Sequence, residues 1–174
     1  MSGRYSTPVP DLYFRYAGRD DVPLLLVLIR ELAEFEHLLE QVAADEATLA
    51  DELFGTRRVA EVIIAELRGE AVAFAVFFHN FSTFAGRAGL YLEDLYVRPH
   101  ARGQGIGRAL ISFVARVAVE RKCGRFEWAV LDWNTRAIDF YRSLGAVAMT
   151  DWTVQRVTGA ALQQLGSQRF ERET

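Results

Sequence analysis

Apolar and polar positions along the chain follow two spacings in turn. "LYFRYA" (Leu12 to Ala17) alternates over a short run and predicts a strand. Val22, Leu25, Leu26, Ile29, Leu32 and Ala33 then follow the i, i+3, i+4 spacing of one helical face until Glu36 interrupts it. Asp20 and Asp21 stand before that run as an N-cap pair, and Pro23 suits its first turn. Asp45 opens a shorter helix through Leu53, with Gly55 placed to close it. Two strands, "RVAEVIIAEL" and "AVAFAVFFHN", are joined by Arg68-Gly69-Glu70 in the manner of a tight hairpin. A third strand is "GLYLEDLYV", Gly89 to Val97. Ile106 to Arg121 is helical in spacing, "RFEWAVL" is a strand, and Asn134 to Leu144 is a helix ended by Gly145. "AVAMTDWTVQRV" supplies final strand material. The first ten residues and the last eight are polar and are predicted to fray, leaving an ordered core of about 12–166.

The predicted order is βααβββαβαβ(β), an α/β (α+β) arrangement with a mixed central sheet of six to seven strands flanked by helices. With 174 residues, 51% of them hydrophobic, and no repeat or long linker, 1–174 is predicted to be a single domain. A net charge of −3 with no lysine- or arginine-dense stripe predicts no nucleic acid and no membrane among its partners. The longest aliphatic run, Leu24 to Ile29, is far short of the roughly 20 residues of a membrane span. Cys123 stands alone, so no internal disulfide is available, and "MSGRYSTPVPD" lacks the apolar centre of a secretory signal; a cytoplasmic location is expected. His37, His79 and His100 lack metal-site spacing, no metal is implied, and Cys123 reads as a small core residue.

The chemistry concentrates in "RPHARGQGIGRAL", Arg98 to Leu110. Glycines at 103, 105 and 107 lie between a strand and a helix start, where successive backbone N–H groups converge on an anion that the helix N-terminus also favours. A dinucleotide fingerprint needs glycine at 108, where Arg108 stands, and a Walker loop needs Lys-Ser or Lys-Thr after its second glycine. Both are excluded. By spacing alone a plain glycine-rich turn remains open.

The flanks narrow this. "LYLEDLYVRPHARGQGIGRALISFVARVA" resembles the signature of the GCN5-related N-acetyltransferases, and the likeness extends from Tyr13 to about Leu165. "IRELAEFE", "LYLEDLYV", "RGQGIG", "WN" and "IDFYRSLGA" look most like the diamine (spermidine/spermine) and thialysine N-acetyltransferases of that family. The resemblance implies acetyl coenzyme A as donor, its pyrophosphate held by Arg102, Gly103, Gln104, Gly105, Ile106, Gly107 and Arg108. It implies that backbone N–H groups of Leu95, Tyr96 and Val97 take the pantetheine arm as an added strand, and that Asn134 also contacts the coenzyme. Asn134 is equally placed to be a helix N-cap, and both roles are compatible. Tyr141 matches the tyrosine beside the coenzyme sulfur and is assigned as general acid, with a packed helix tyrosine as the other reading.

An alkyl amine with a pKa near ~10 is protonated at neutral pH, so attack on a thioester requires a base. Strand alternation sets Glu93 with Tyr91 and Leu95, and Asp94 with Leu92 and Tyr96, so that one carboxylate faces a given cleft. The resemblance gives the general-base role to Glu93, directly or through water, with a contribution from Asp94; sheet charges paired with arginines are the alternative. It also points to Phe35 and Glu36 as acceptor contacts, and to Trp152 in a C-terminal strand near the acceptor cleft. The family often has tyrosine where this chain has Phe35, so a hydroxyl contact is lost. The function implied is direct transfer of acetyl to a primary amine of a small diamine, polyamine or thialysine-like acceptor by a homodimer. The alternatives are acetylation of a peptide lysine or N-terminal amine, and a non-catalytic acyl-coenzyme A module, which would need neither Glu93 nor Tyr141.

Overall fold

Arg68 and Gly69 both take positive φ, 52° and 87°, the left-handed pair that lets a two-residue turn match the twist of its strands. They join β3 (Glu61–Leu67) to β4 (Glu70–Ser82). These strands sit in a six-stranded sheet of order β1-β2-β3-β4-β5-β6, completed by β1 (Arg4–Ser6), β2 (Leu12–Tyr16), β5 (Arg87–Val97) and β6 (Phe126–Trp128). β1 to β5 run antiparallel in sequence order; β6 returns parallel to β5 after a helical crossover, as a parallel pair requires. The computed structural model describes residues 3–168, and the chain divides into two compact units, Met1–Ala129 and Val130–Thr174.

In the first unit the sheet is covered on both faces. Leu25, Leu28 and Leu32 of α1 (Val22–Phe35) and Leu53 of α2 (Glu46–Phe54) pack on Val62, Ile64, Phe74 and Tyr96. Side chains of alternate parity face α3 (Ile106–Glu120), whose Phe113 ring meets Phe14 at 5.4 Å and whose C-cap Arg121 lies over Phe77. Asp45 caps α2 as expected, its carboxylate accepting from the Thr48 N–H at 2.7 Å. Asp21 does not cap α1: its carboxylate accepts instead from the Gly18 N–H at 2.8 Å and is forked by Arg15 at 2.7 and 2.8 Å. Among the described residues no helix is long and apolar enough to cross a membrane.

Two expectations fail at the ends of the chain. Residues 4–6, expected to fray, form β1, because Arg4 pairs with Glu66 (2.9 Å) while Tyr5 packs edge-on against Phe113 (4.9 Å). The final strand material, residues 146–157, is not a strand. In the second unit α4 (Thr135–Arg142) is followed by irregular chain and then α5 (Gly159–Gly166). Apolar and β-branched residues do not make a ladder without a partner strand, and Val147, Met149, Trp152 and Val154 stay 64–82% exposed. Of the polar tail, residues 169–174 lie outside the described residues.

Candidate active site

The site in the first unit is built around a slip in β5. Val76 pairs with Asp94 while its neighbour Phe77 pairs with Leu92, so Glu93 is an extra residue, a β-bulge. Val76 packs against the α1/α2 cluster and Phe77 lies on the α3 side, so Asp94 and Leu92, which share those faces as partners, point to opposite sides. Strict alternation, which set Asp94 with Leu92, therefore does not hold across Glu93. The bulge breaks it and returns Asp94 to the face of Tyr96. On the other edge β5 pairs with β6 only at Leu90, Tyr91 and Leu92, so within the first unit Glu93 to Val97 have no strand partner on that side.

α1 reaches the bulge at its C-terminal end. His37 takes a positive φ of 61°, which turns the chain back so that the Leu38 N–H donates to the Ala33 carbonyl at 2.8 Å. Glu36 is thereby left as the residue that ends the helix, partly buried. Burial alone pushes its pKa above the ordinary value. Burial, then the Glu93 charge, then the Glu36 charge raise Asp94 from its ordinary 3.8 to about 6. Each of these is an effect that an opposite charge would relieve. Glu36, Glu93 and Asp94 thus form one acidic cluster, with Glu93 exposed at its rim. Among the described residues no three His, Cys, Asp or Glu side chains are grouped to hold a metal ion.

C-terminal to β5 the glycine-rich loop folds as its composition allows. Gly103 and Gly105 have φ of 78° and 79°, values that side chains rarely adopt, and Gly105 is the N-cap of α3. Ile106 and Leu110 are buried and anchor that helix end. The Ala109 N–H closes the first helical bond onto the Gly105 carbonyl at 2.9 Å, so the amides before it have no acceptor within the helix. Gly103, Gln104 and Gly105 are exposed, as a backbone cradle for a large anion must be. Gly107 lies in the first turn of α3 without positive φ, and Arg108 beside it is exposed. The positive helix end, the glycine-rich backbone and the edge at Leu95, Tyr96 and Val97, which has no strand partner within the first unit, together fit a chain bearing a pyrophosphate and an amide-rich arm.

Two arginines that sequence spacing does not connect to α1 are bound to it. Arg98 forks the Glu31 carboxylate at 3.0 and 2.7 Å and donates to the Ala71 carbonyl at 2.9 Å. The Arg102 guanidinium lies 4.4 Å from the centre of the Phe35 ring, with its Nε–H donating to the Val97 carbonyl at 2.8 Å. Glu34, Phe35, Tyr96 and Arg98 border an open depression of about 460 Å³. No local pattern signals these pairs, since the partners of the Arg98 fork stand 67 residues apart.

Asn134, Tyr141 and Trp152 belong to the second unit and are placed here within it. Asn134 caps α4, its side-chain oxygen accepting from the Ala137 N–H at 3.2 Å. Tyr141, in the last turn of α4, is half-buried and lies 5.3 Å from the Phe140 ring. The helix ends where Gly145, at φ 88°, lets the Ala146 N–H reach the Tyr141 carbonyl at 3.1 Å. Trp152 is 72% exposed and lies in irregular chain, not in a strand.

Known proteins resemble this chain over most of its length. Residues 26–146 match the acetyltransferase (GNAT) family. The chain is 41% identical over 162 residues to thialysine N-epsilon-acetyltransferase of Bos taurus, covering 87% of this chain and 95% of that one. It is 31% identical over 196 residues to L-ornithine N5-acetyltransferase NATA1 of Arabidopsis thaliana, covering 87% and 86%. Among solved structures, integron cassette protein VCH_CASS6 from the mobile metagenome of V. cholerae superposes with a TM-score of 0.76 at 26% identity, covering 91% of this chain and 99% of that one. On the family match and this level of identity over nearly whole chains, the protein belongs to the acetyltransferase (GNAT) family and is an N-acetyltransferase whose donor is acetyl-CoA.

Proposed function

We propose that the protein acetylates a primary amine of a small diamine, polyamine or thialysine-like acceptor by direct attack on acetyl-CoA. The observation that carries this reading is the cluster of Glu36, Glu93 and Asp94, in which Asp94 is raised to about 6 by burial and by its two neighbours. A cluster of like charges at the end of an apolar helix is costly unless a cation shares it. An alkyl ammonium is such a cation, and Phe35 next to Glu36 offers a ring for its methylenes. The named activities of the two relatives, on thialysine Nε and ornithine N5, both place the reacting nitrogen at the end of an aliphatic side chain.

In the proposed reaction Glu93 takes the ammonium proton, directly or through water. The freed nitrogen bonds to the acetyl carbon and the carbon–sulfur bond breaks. Tyr141 gives its proton to the departing sulfur, so that coenzyme A leaves as the thiol, and the second proton lost by the nitrogen as the amide forms restores the Tyr141 phenol through solvent. Arg102 to Arg108 hold the pyrophosphate, the edge at Leu95, Tyr96 and Val97 takes the pantetheine arm, and Asn134 adds a contact while capping α4. Glu36, Asp94 and Trp152 complete the acceptor side. A second reading exchanges the two strand acids, and it is favoured by the position of Asp94, which a value near 6 suits to receive a proton at neutral pH. The tyrosine and asparagine roles rest on the resemblance of "WN" and "IDFYRSLGA" to the family.

We further read residues 1–174 as a single N-acetyltransferase domain, acting in the cytoplasm as a homodimer. The exposed apolar side chains of Val147, Met149, Trp152 and Val154 support the homodimer, and the single cysteine supports the location. A panel of amines with acetyl-CoA, followed by release of free thiol, tests the reaction. Diamines, polyamines and lysine-like amino acids are expected to turn over, and monoamines of equal length more weakly. Preference for lysine peptides over every small amine would overturn the acceptor class.

A further inference from the structure

We infer that Phe35 is a positioning residue for the donor: its ring presets the Arg102 guanidinium for the pyrophosphate, so the last turn of α1 is part of the coenzyme side of the site. This rests on the assignment of Arg102 to Arg108 to the donor and deepens it.

The Arg102 side chain is fixed from two directions. Its Nε–H donates to the Val97 carbonyl at 2.8 Å, and its Cζ lies over the Phe35 ring, 4.4 Å from the ring centre, and 5.7 Å from that of Tyr96. A guanidinium stacked on a ring with one edge on a carbonyl keeps its Nη donors on the remaining edges, where a phosphate oxygen is met in the plane. Without the ring the long side chain recovers rotamer freedom, which phosphate binding must then remove.

The ring is itself held. Glu31 and Phe35 are four residues apart on α1 and share a face, and Arg98 and Arg102 are four residues apart on the loop. Glu31 takes the Arg98 fork at 3.0 and 2.7 Å, and Arg98 is only 19% exposed. Burial first, and then the Glu31 charge, raise the Tyr96 phenol above its ordinary value, which places Glu31, Tyr96 and both arginines in one neighbourhood. α1 and the loop are therefore gripped at two points, one ionic and one aromatic. Phe35 is 37% exposed and is not among the buried residues of the α1/α2 cluster.

The test uses the full chain and coenzyme A, with affinity measured by calorimetry. Phe35→Leu is expected to weaken coenzyme A by about 5-fold, Phe35→Tyr to keep the native affinity, and Glu31→Gln to weaken it in the same direction. In an Arg102→Lys background, which keeps the charge and loses the planar stack, Phe35→Leu is expected to add almost nothing. Unchanged coenzyme A affinity in Phe35→Leu, a rise confined to the amine KM, or a full additional loss in the Arg102→Lys background would each overturn the inference. A wild-type protein that gives no heat with coenzyme A removes the donor assignment itself, a result distinct from those three.

Discussion

At the scale of single residues, Asp94 opposes the fold it sits in. Its folded pKa of about 6 lies above the 3.8 of an unfolded aspartate, so the folded chain binds the proton more tightly. The stability this contributes is fully present below about pH 4 and is lost as pH rises through about 6; at neutral pH the charged form costs up to about 3 kcal/mol. Asp94→Asn is therefore expected to raise the melting temperature at pH 7.5, with the gain shrinking toward pH 4. An equal change at both pH values would show that the substitution acts through packing alone. The same variant separates the two proton-acceptor readings when its activity profile is set beside that of Glu93→Gln. Loss of the base moves the profile toward higher pH, where the amine is already neutral, and only the variant of the true base is expected to show that movement. Tyr141→Phe is expected to lower kcat at least 10-fold while leaving coenzyme A affinity within about 2-fold; unchanged kcat would remove the proton-donor role.

At the scale of elements, the loop from Arg102 to Gly107 separates two uses of glycine. Gly105 has positive φ and its added Cβ would sit 3.7 Å from Val9, an ordinary contact, so alanine there suffers backbone strain and no clash. Gly105→Ala is expected to cost about 1 kcal/mol in the free protein. Gly107 has no such conformation and lies inside α3, with an added Cβ 3.8 Å from Val97. Gly107→Ala is expected to stabilise the free chain by about 0.5 to 1 kcal/mol and still weaken coenzyme A, because the methyl group stands where the phosphate approaches. Denaturation with and without ligand checks both; equal coenzyme A affinity in Gly107→Ala would mean the phosphate lies elsewhere. Elements of this kind were legible in the sequence because their signals are local: the Asp45 cap, the Arg68-Gly69 turn, the helical face from Val22 to Ala33. The bulge was not read, although two acids in succession at Glu93 and Asp94 already break an alternating strand. The Arg98–Glu31 fork and the Phe35–Arg102 stack had no local signal at all, since each joins groups brought together only by the fold. The segment from 146 to 157 differs for the complementary reason: its apolar and β-branched residues suit a strand, but a strand also needs a partner that composition does not supply.

At the scale of the whole molecule, the residues proposed to meet the donor are divided between the two units. Arg102 to Arg108 and the edge at Leu95 to Val97 are in the first; Asn134 and Tyr141 are in the second. A ligand that contacts both stabilises both, by an amount set by its concentration over its dissociation constant and about 2.7 kcal/mol at a hundredfold excess. A ligand held by the glycine-rich loop alone would protect α3 and leave α4 exchanging as before. Hydrogen exchange distinguishes these cases amide by amide. With saturating coenzyme A the amides at the start of α3 are expected to slow, and those of α4 from Ala137 to Arg142 to slow with them by at least about 10-fold. The Ala137 N–H, already bonded to the Asn134 side chain at 3.2 Å, is the most telling of these, because an Asn134 that both caps the helix and touches the coenzyme must transmit the protection there. Slowing confined to α3 would leave the anion cradle standing and would remove Asn134 and Tyr141 from the donor-binding residues together.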